Sequence, residues 1–323
     1  MKCIAIFGPT ASGKTAVSVP VAMALGGEII SCDSMQIYRG MDIGTAKPPP
    51  EALAAVRHSL VGFLSPRESY SAADYRRDAV NAALEAGRRG AVPVFVGGTG
   101  LYLDAVRYER HDGAPAPDPT LRAGLRREAE ELGAEALYAR LAKADPDAAA
   151  GIHPNNLPRV IRALEIYMLS GRKKSEFDAE SRGRLSPQFD MLVFTLNFHD
   201  RAALYARIDR RVSEMLEAGL VREAEELYRA GLIGPGTAGA AIGYKELLPY
   251  LRGEETLREA EERIARSTRR YAKRQLTWSS SIEGGREIFV DRPEGGTREV
   301  SDIAEEILGV CRENGFAVRG ETK

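Results

Sequence analysis

Residues 3–7 form an unbroken apolar run. Such a run predicts a short strand covered on both faces rather than a half-exposed one. Residues 14–25 follow with helical spacing, and Gly26 and Gly27 stop that helix. Residues 28–32 predict a second short strand. Residues 71–89 predict a helix that opens on the capping pair Ser71 and Asp74 and closes at Gly90. Residues 92–96 predict a third strand, ending at Gly97 and Gly98. Strands alternating with helices imply an α/β fold, with a parallel β-sheet flanked by crossover helices. Ligands of such sheets bind beyond the carboxyl ends of the strands. The loops 8–15, 33–38 and 97–102 each follow a strand, so all three are expected to converge on one crevice.

The pattern changes after about Tyr108. Residues 111–119, rich in Pro, Gly and Asp, read as a linker. Helical periodicity then dominates over 121–132, 135–143 and 157–169, the last ending at Ser170 and Gly171. Residues 191–196 return to a strand. The expected organisation is an all-helical domain at 109–188 inserted into an α/β core made of 1–108 and 189–323. Beyond Asp200 the pattern is mostly helical, and the polar tail from Arg312 is expected to be loose.

Composition narrows the class. The chain has 323 residues, 44% of them hydrophobic and 28% charged, ordinary values for a soluble domain pair. The net charge of −1 means that a nucleic-acid partner would need a local basic patch. Cys3, Cys32 and Cys311 form no CxxC pair, which argues against structural zinc and a disulfide framework. His58, His111, His153 and His199 lack ligand spacing. No stretch has the length of a membrane span, and the first apolar run is too short for a signal peptide, so a cytoplasmic location is expected.

The strongest chemical signal is Gly8-Pro9-Thr10-Ala11-Ser12-Gly13-Lys14-Thr15, a full G-x-x-x-x-G-K-[ST] match between a strand and a helix. Its backbone amides and helix N-terminus suit a phosphate, Lys14 adds a point charge, and the Thr15 hydroxyl suits Mg²⁺. Asp33, after the second strand, has two possible chemical uses: a water-mediated Mg²⁺ contact, or proton acceptance from a nucleophile. An Asp-Ser pair also serves simple turns. Arg263, Arg266, Arg269, Arg270, Lys273 and Arg274 recur at helical spacing with no acidic residue between them. That face suits a phosphate backbone, or a solvated surface balanced by acidic residues 254–262. Tyr271 and Trp278 suit base stacking or core packing.

Taken together, these strings resemble the bacterial tRNA dimethylallyltransferases, also called tRNA isopentenyltransferases. The resemblance is carried by the phosphate loop, Asp33-Ser34-Met35-Gln36 with Tyr38, the string from Asp42 to Pro48, and Gly97-Gly98-Thr99-Gly100-Leu101-Tyr102. Arg159 to Glu165, Gly243 to Glu246 and Tyr271 to Trp278 extend it over nearly the whole chain. It implies a core like that of the phosphate-loop NTPases, and transfer of a dimethylallyl group from dimethylallyl diphosphate to N6 of adenosine-37 in tRNA. It further implies that residues 8–15 bind the donor's diphosphate with Mg²⁺ at Thr15. Thr10, Lys14 and Arg207 would act at the reacting end, and Asp33 would be the general base. Asp33, Ser34, Met35, Gln36, Thr99, Pro158, Arg159, Val160, Ile161 and Arg162 match tRNA-contacting positions, and the helical insertion would grip the anticodon stem-loop of tRNA. A monomer with no membrane partner is expected. Two positions depart from the family pattern: Ser279-Ser280-Ser281 follow Trp278, and Pro158 stands where many members carry Gln.

The competing readings are a small-molecule or nucleotide kinase, a nucleotide-binding switch, and a prenyltransferase acting on free adenine nucleotides. The insertion and the basic helix argue against the kinase, the insertion argues against the free-nucleotide prenyltransferase, and the lack of a recognisable guanine-specificity string counts against the switch.

Overall fold

The computed structural model describes residues 1–109, 114–181, 183–233 and 238–319. Residues 110–113, which include His111 and the start of the expected linker, and the last four residues of the tail lie outside them. Six strands make one parallel sheet: β1 (Lys2–Phe7), β2 (Gly27–Cys32), β3 (His58–Ser59), β4 (Val92–Gly97), β5 (Asp190–Asn197) and β6 (Arg286–Phe289). Their order is β3-β2-β4-β1-β5-β6. β1 is buried at every position after Lys2 because it lies inside the sheet with helices on both faces. The edge strands β3 and β6 are the short ones, and neither is evident in the hydrophobic pattern.

One face of the sheet packs Ile4, Ile6, Val94, Phe194 and Leu196 against helices Lys14–Leu25, Arg201–Glu217 and Val300–Glu313. The other packs Phe7, Ile30 and Phe95 against Tyr75, Ala79 and Ala83 of helix Ala72–Arg88 and Tyr102 and Leu103 of helix Gly100–Arg107. Ser71 caps the first of these with the predicted box: its hydroxyl accepts from the Asp74 amide, and Asp74 accepts from the Ser71 amide at 3.0 Å. A third cluster joins Ile37, Tyr38 and Met41 to Leu220, Leu227, Tyr244 and Ile264. Among the described residues no helix is long and apolar enough to cross a membrane.

The tail is not loose over its described length. Phe316 is buried, Val318 packs on the core, and the Arg319 amide donates to the Ala24 carbonyl at 2.7 Å. The polar composition concealed two apolar anchors. Residues 97–102, expected to be a loop, turn directly into helix Gly100–Arg107.

The chain divides into two compact units, Met1–Arg107 with Pro187–Lys323, and Tyr108–Ser186. The second is built from helices Pro119–Leu132, Ala134–Ala144, Pro146–Ala150, Leu157–Ser170 and Lys174–Ser181. Its core is Leu125, Leu137, Leu141, Val160, Ile161 and Leu164. Asp118 caps the first helix by accepting from the Thr120 and Leu121 amides. Fully buried Glu165 accepts from both sides of the Arg122 guanidinium at 2.9 and 3.0 Å, from Arg162 at 2.5 Å and from the Asp118 amide at 2.7 Å. Burial pushes its pKa up, but these donors outweigh burial and hold it below the ordinary carboxylate value.

A carboxylate with a depressed folded-state pKa stabilises the fold above its unfolded pKa of about 4.3, and the gain is lost as pH falls through the folded value. Glu165→Gln should therefore destabilise this unit by about 3 kcal/mol at neutral pH. It should also flatten the loss of stability below about pH 4, both read from denaturant titrations across pH. An unchanged midpoint at neutral pH would contradict this.

Candidate active site

Because β2, β4 and β1 are adjacent, the segments leaving their carboxyl ends are neighbours. The phosphate loop and the turn after β2 line a cavity of about 540 Å³, joined by residues 44–47 and by helices Arg201–Glu217 and Leu257–Ser279. The third expected loop plays another part. Gly97 lines only a small adjoining recess, and Thr99 stands behind the turn, its hydroxyl accepting from the Ser34 amide at 3.0 Å. Thr99 thus fixes Ser34 rather than facing the main cavity.

One end of the cavity is polar, with Thr10, Lys14, Thr15 and Asp33; another wall is apolar, with Ile208, Val212, Met215 and Ile264. The Lys14 ammonium donates to the Gly8 and Pro9 carbonyls at 3.0 and 2.7 Å. Burial, helped by the charge of Arg211 and opposed by Asp33, lowers its pKa to about 7. Asp33 meets both demands raised by its sequence position. Its Oδ1 accepts from the Met35 and Gln36 amides at 2.8 and 3.3 Å, as a turn-forming Asp does. Oδ2 accepts no hydrogen bond among the described residues.

Helix Arg201–Glu217 brings two guanidinium groups. Arg207 donates from Nε to the Ala11 carbonyl at 2.9 Å, so it braces the phosphate loop. Arg211, one turn on, lines the cavity without a hydrogen bond or ion pair among the described residues. Burial lowers its pKa, with Asp33 opposing. The family resemblance assigns a role only to Arg207.

Gln275 was likewise unassigned. Its carboxamide is buried, accepting from the Thr10 amide at 2.8 Å and donating to the Gly98 carbonyl at 2.9 Å. A Cβ on Gly98 would lie 2.1 Å from the Gln275 Nε2, so this close approach requires glycine.

The aromatic and basic residues sort themselves. Trp278 packs on Phe7, with ring centroids 4.7 Å apart, and donates to Asp104 at 3.1 Å, so it is a core residue and not a stacking platform. Arg263 pairs with Glu255, and Arg269 pairs with Asp209. Arg266, Arg270, Lys273 and Arg274 are exposed and make no ion pair among the described residues.

In the helical unit, Pro158 and Arg159 are exposed at the start of helix Leu157–Ser170. Val160 and Ile161 are core side chains, which removes them as side-chain contacts to any partner. Arg162 is engaged with Glu165 and with the Pro115 carbonyl.

Among the described residues no group of three or more His, Cys, Asp or Glu gathers into a metal cage. Thr15 and Asp33 nevertheless line one cavity, and the Thr15 hydroxyl makes no hydrogen bond among the described residues. Two oxygen donors of this kind fit Mg²⁺, which keeps most of its waters and takes the rest of its ligands from phosphate.

The chain is similar to known proteins. A family model described as IPP transferase matches residues 36–281, and one described as isopentenyl transferase matches residues 1–64. The tRNA dimethylallyltransferase of Geobacter sulfurreducens is 47% identical over 277 residues, 86% of this chain and 88% of the relative. That of Bacillus subtilis (strain 168) is 46% identical over 275 residues, 85% of this chain and 86% of the relative. The solved structure of a full-length tRNA isopentenylpyrophosphate transferase from Bacillus halodurans aligns with a TM-score of 0.69 at 43% identity, covering 97% of both chains. A eukaryotic dimethylallyltransferase, solved acting on tRNA, aligns with a TM-score of 0.82 at 31% identity, covering 99% of this chain and 81% of that one. On the family model and on these identities, the chain belongs to the IPP transferase family, the family of the tRNA dimethylallyltransferases.

Proposed function

We propose that this cavity transfers a dimethylallyl group from dimethylallyl diphosphate to N6 of adenosine-37 in tRNA, releasing diphosphate. One observation carries the reading: a phosphate loop and an Asp33 oxygen free of other partners share one cavity that also has an apolar wall. A kinase needs the first of these features but has no use for an apolar wall beside it.

The donor's diphosphate lies on the amides of residues 8–15, with Lys14, Thr10 and the arginines beside it. The C1–O bond breaks, the N6–C1 bond forms, and the electron pair of the broken bond leaves with the diphosphate. The loop amides, Lys14 and Arg211 stabilise that growing charge, while Arg207 keeps the loop in shape. Asp33 accepts the N6 proton through its free oxygen. The apolar wall of Ile208, Val212, Met215 and Ile264 holds the prenyl group and keeps water from the reacting carbon. Thr15 would hold Mg²⁺, whose chemistry when bound is to neutralise charge on the diphosphate, and the free oxygen of Asp33 is kept for the proton.

The adenine must leave its stack to reach such a cavity. Ser34, Met35 and Gln36 line it and would meet the base. The unpaired cations Arg266, Arg270, Lys273 and Arg274 would meet backbone phosphates, and Pro158 and Arg159 of the helical unit would meet the anticodon stem-loop. Val160 and Ile161 would serve only by holding that helix. The chain would act as a monomer, on tRNA in the cytoplasm.

Incubation with Mg²⁺, dimethylallyl diphosphate and unmodified tRNA should yield prenylated adenosine, detected by mass spectrometry of the digested RNA. Absence of product together with ATP-dependent phosphorylation of a small molecule would sink the proposal. Asp33→Asn should lower kcat by about 10²–10⁴ while leaving donor affinity within about threefold. Small effects on kcat would remove Asp33 as the base.

Lys14 generates a pH prediction. With a pKa of about 7 it is largely neutral at pH 8, and an anion favours its charged form. Pyrophosphate binding at pH 8 should therefore take up protons, and affinity should fall as pH rises above 7 by more than the ligand's own titration explains. Lys14→Met should abolish that excess uptake in calorimetry across buffers of different ionisation enthalpy. Equal uptake by both proteins would contradict the assignment.

The basic face predicts a salt effect. Arg266→Ala with Arg270→Ala should reduce the slope of log affinity for tRNA against log salt by about 1 per residue, with pyrophosphate affinity unchanged. An unaltered slope would return this face to solvent.

A further inference from the structure

Residues 42–44 run past the end of helix Leu220–Arg229, and Glu223 of that helix receives them. Its carboxylate accepts from the Asp42 amide at 2.8 Å, from the Ile43 amide at 3.1 and 2.9 Å, and from the Gly44 amide at 3.0 Å. The Tyr244 hydroxyl donates to the same carboxylate at 2.6 Å. Three successive backbone donors on one carboxylate form a charge-assisted clasp, stronger than neutral hydrogen bonds. The Tyr244 ring closes it from the other side. A Cβ on Gly44 would lie 2.5 Å from that ring, so glycine is needed there.

What the clasp holds matters for the cavity. Residues 44–47 form part of its wall. The carbonyls of Thr45 and Ala46 accept from the Gln36 carboxamide at 3.4 and 3.0 Å, while the Ser31 hydroxyl donates to the other end of Gln36 at 3.2 Å. Gln36 is in turn the residue whose amide Asp33 accepts. A continuous series of contacts thus runs from Glu223 through the backbone of 42–46 to Gln36 and to Asp33. The phosphate loop is held by other means, by Gln275 and Arg207. The two halves of the cavity are therefore held by different hydrogen bonds.

We infer that Glu223, closed by Tyr244, is a positioning residue that sets the acceptor half of the cavity, the turn 33–36, without setting the donor half. The inference rests on the transfer reaction proposed above, because it assigns the turn to the adenine and the phosphate loop to the diphosphate. Glu223 itself touches neither substrate. Its influence passes through backbone geometry at 42–46, and a displacement of under an ångström at Gln36 is enough to spoil the alignment of a reacting pair.

The test uses the full chain and Glu223→Gln. The variant keeps shape but offers one carbonyl oxygen and a competing amide to three N–H groups. Hydrogen exchange should quicken at least tenfold at the amides of 42–44 and remain unchanged in β1 and β4. In steady-state prenyl transfer, KM for tRNA should rise about tenfold and kcat should fall several-fold, while KM for dimethylallyl diphosphate stays within twofold. A merely structural role would lower the active fraction and leave both KM values alone. Tyr244→Phe keeps the ring against Gly44 and removes one donor, so it should shift the same constants in the same direction by less, and it remains informative if the Glu223 variant fails to fold. Unchanged exchange at 42–44 would overturn the inference, as would equal rises in both KM values or no rise in either. Wild-type protein that makes no prenylated adenosine would overturn the reaction itself, whereas active wild type with unaltered variant constants would overturn the inference alone.

Discussion

The Gln275 carboxamide is the contact on which the cavity depends. It ties the phosphate loop at Thr10 to the β4 end at Gly98, and both are far from it in sequence, by 265 and 177 residues. A buried amide with both ends satisfied costs little, whereas one with an end left open costs about 1–3 kcal/mol. The two bonds therefore favour the observed position of helix Leu257–Ser279. That position sets Tyr271 and Arg274 along the cavity, places Trp278 against Phe7, and leaves Arg266, Arg270 and Lys273 exposed. A single buried side chain thus couples the strand ends to the basic face.

Around this link the chemistry divides by environment. Lys14 and Arg211 are both pushed toward their neutral forms by burial, and Asp33 opposes the shift in each. Cations held this way gain most when an anion arrives, since the anion restores the charge that burial disfavours. The same site is poorly suited to a neutral ligand. The apolar lining of the same cavity suits a ligand whose other end is hydrocarbon, as the proposed donor's is.

Much of the core was legible because its signals are local. Residues 14–25, bounded by glycines, and the Ser71–Asp74 box announce helices through neighbours a few positions apart, and apolar runs mark β1, β2, β4 and β5. The edge strands escaped notice because His58–Ser59 is two residues long and Arg286–Phe289 has two charged residues in four. Phe316 and Val318 were hidden in a polar tail. The phosphate loop and Asp33 were readable from spacing, but Gln275, Arg211 and Glu223 were not. Their partners are remote in sequence, 181 residues in the case of Glu223 and Asp42, and a lone polar residue on a helix gives no local sign of such a partner. The assignments at Val160 and Ile161 failed as side-chain contacts because a resemblance of strings does not separate the buried side of a helix from the exposed one.

The central claim is that the phosphate loop holds a leaving group rather than a nucleotide. Competition binding with Mg²⁺ present tests it most directly, using pyrophosphate, dimethylallyl diphosphate and ATP on the same preparation. The account predicts that pyrophosphate and dimethylallyl diphosphate exclude one another and that both bind more tightly than ATP. Tighter binding of ATP, or simultaneous binding of pyrophosphate and dimethylallyl diphosphate, would contradict it.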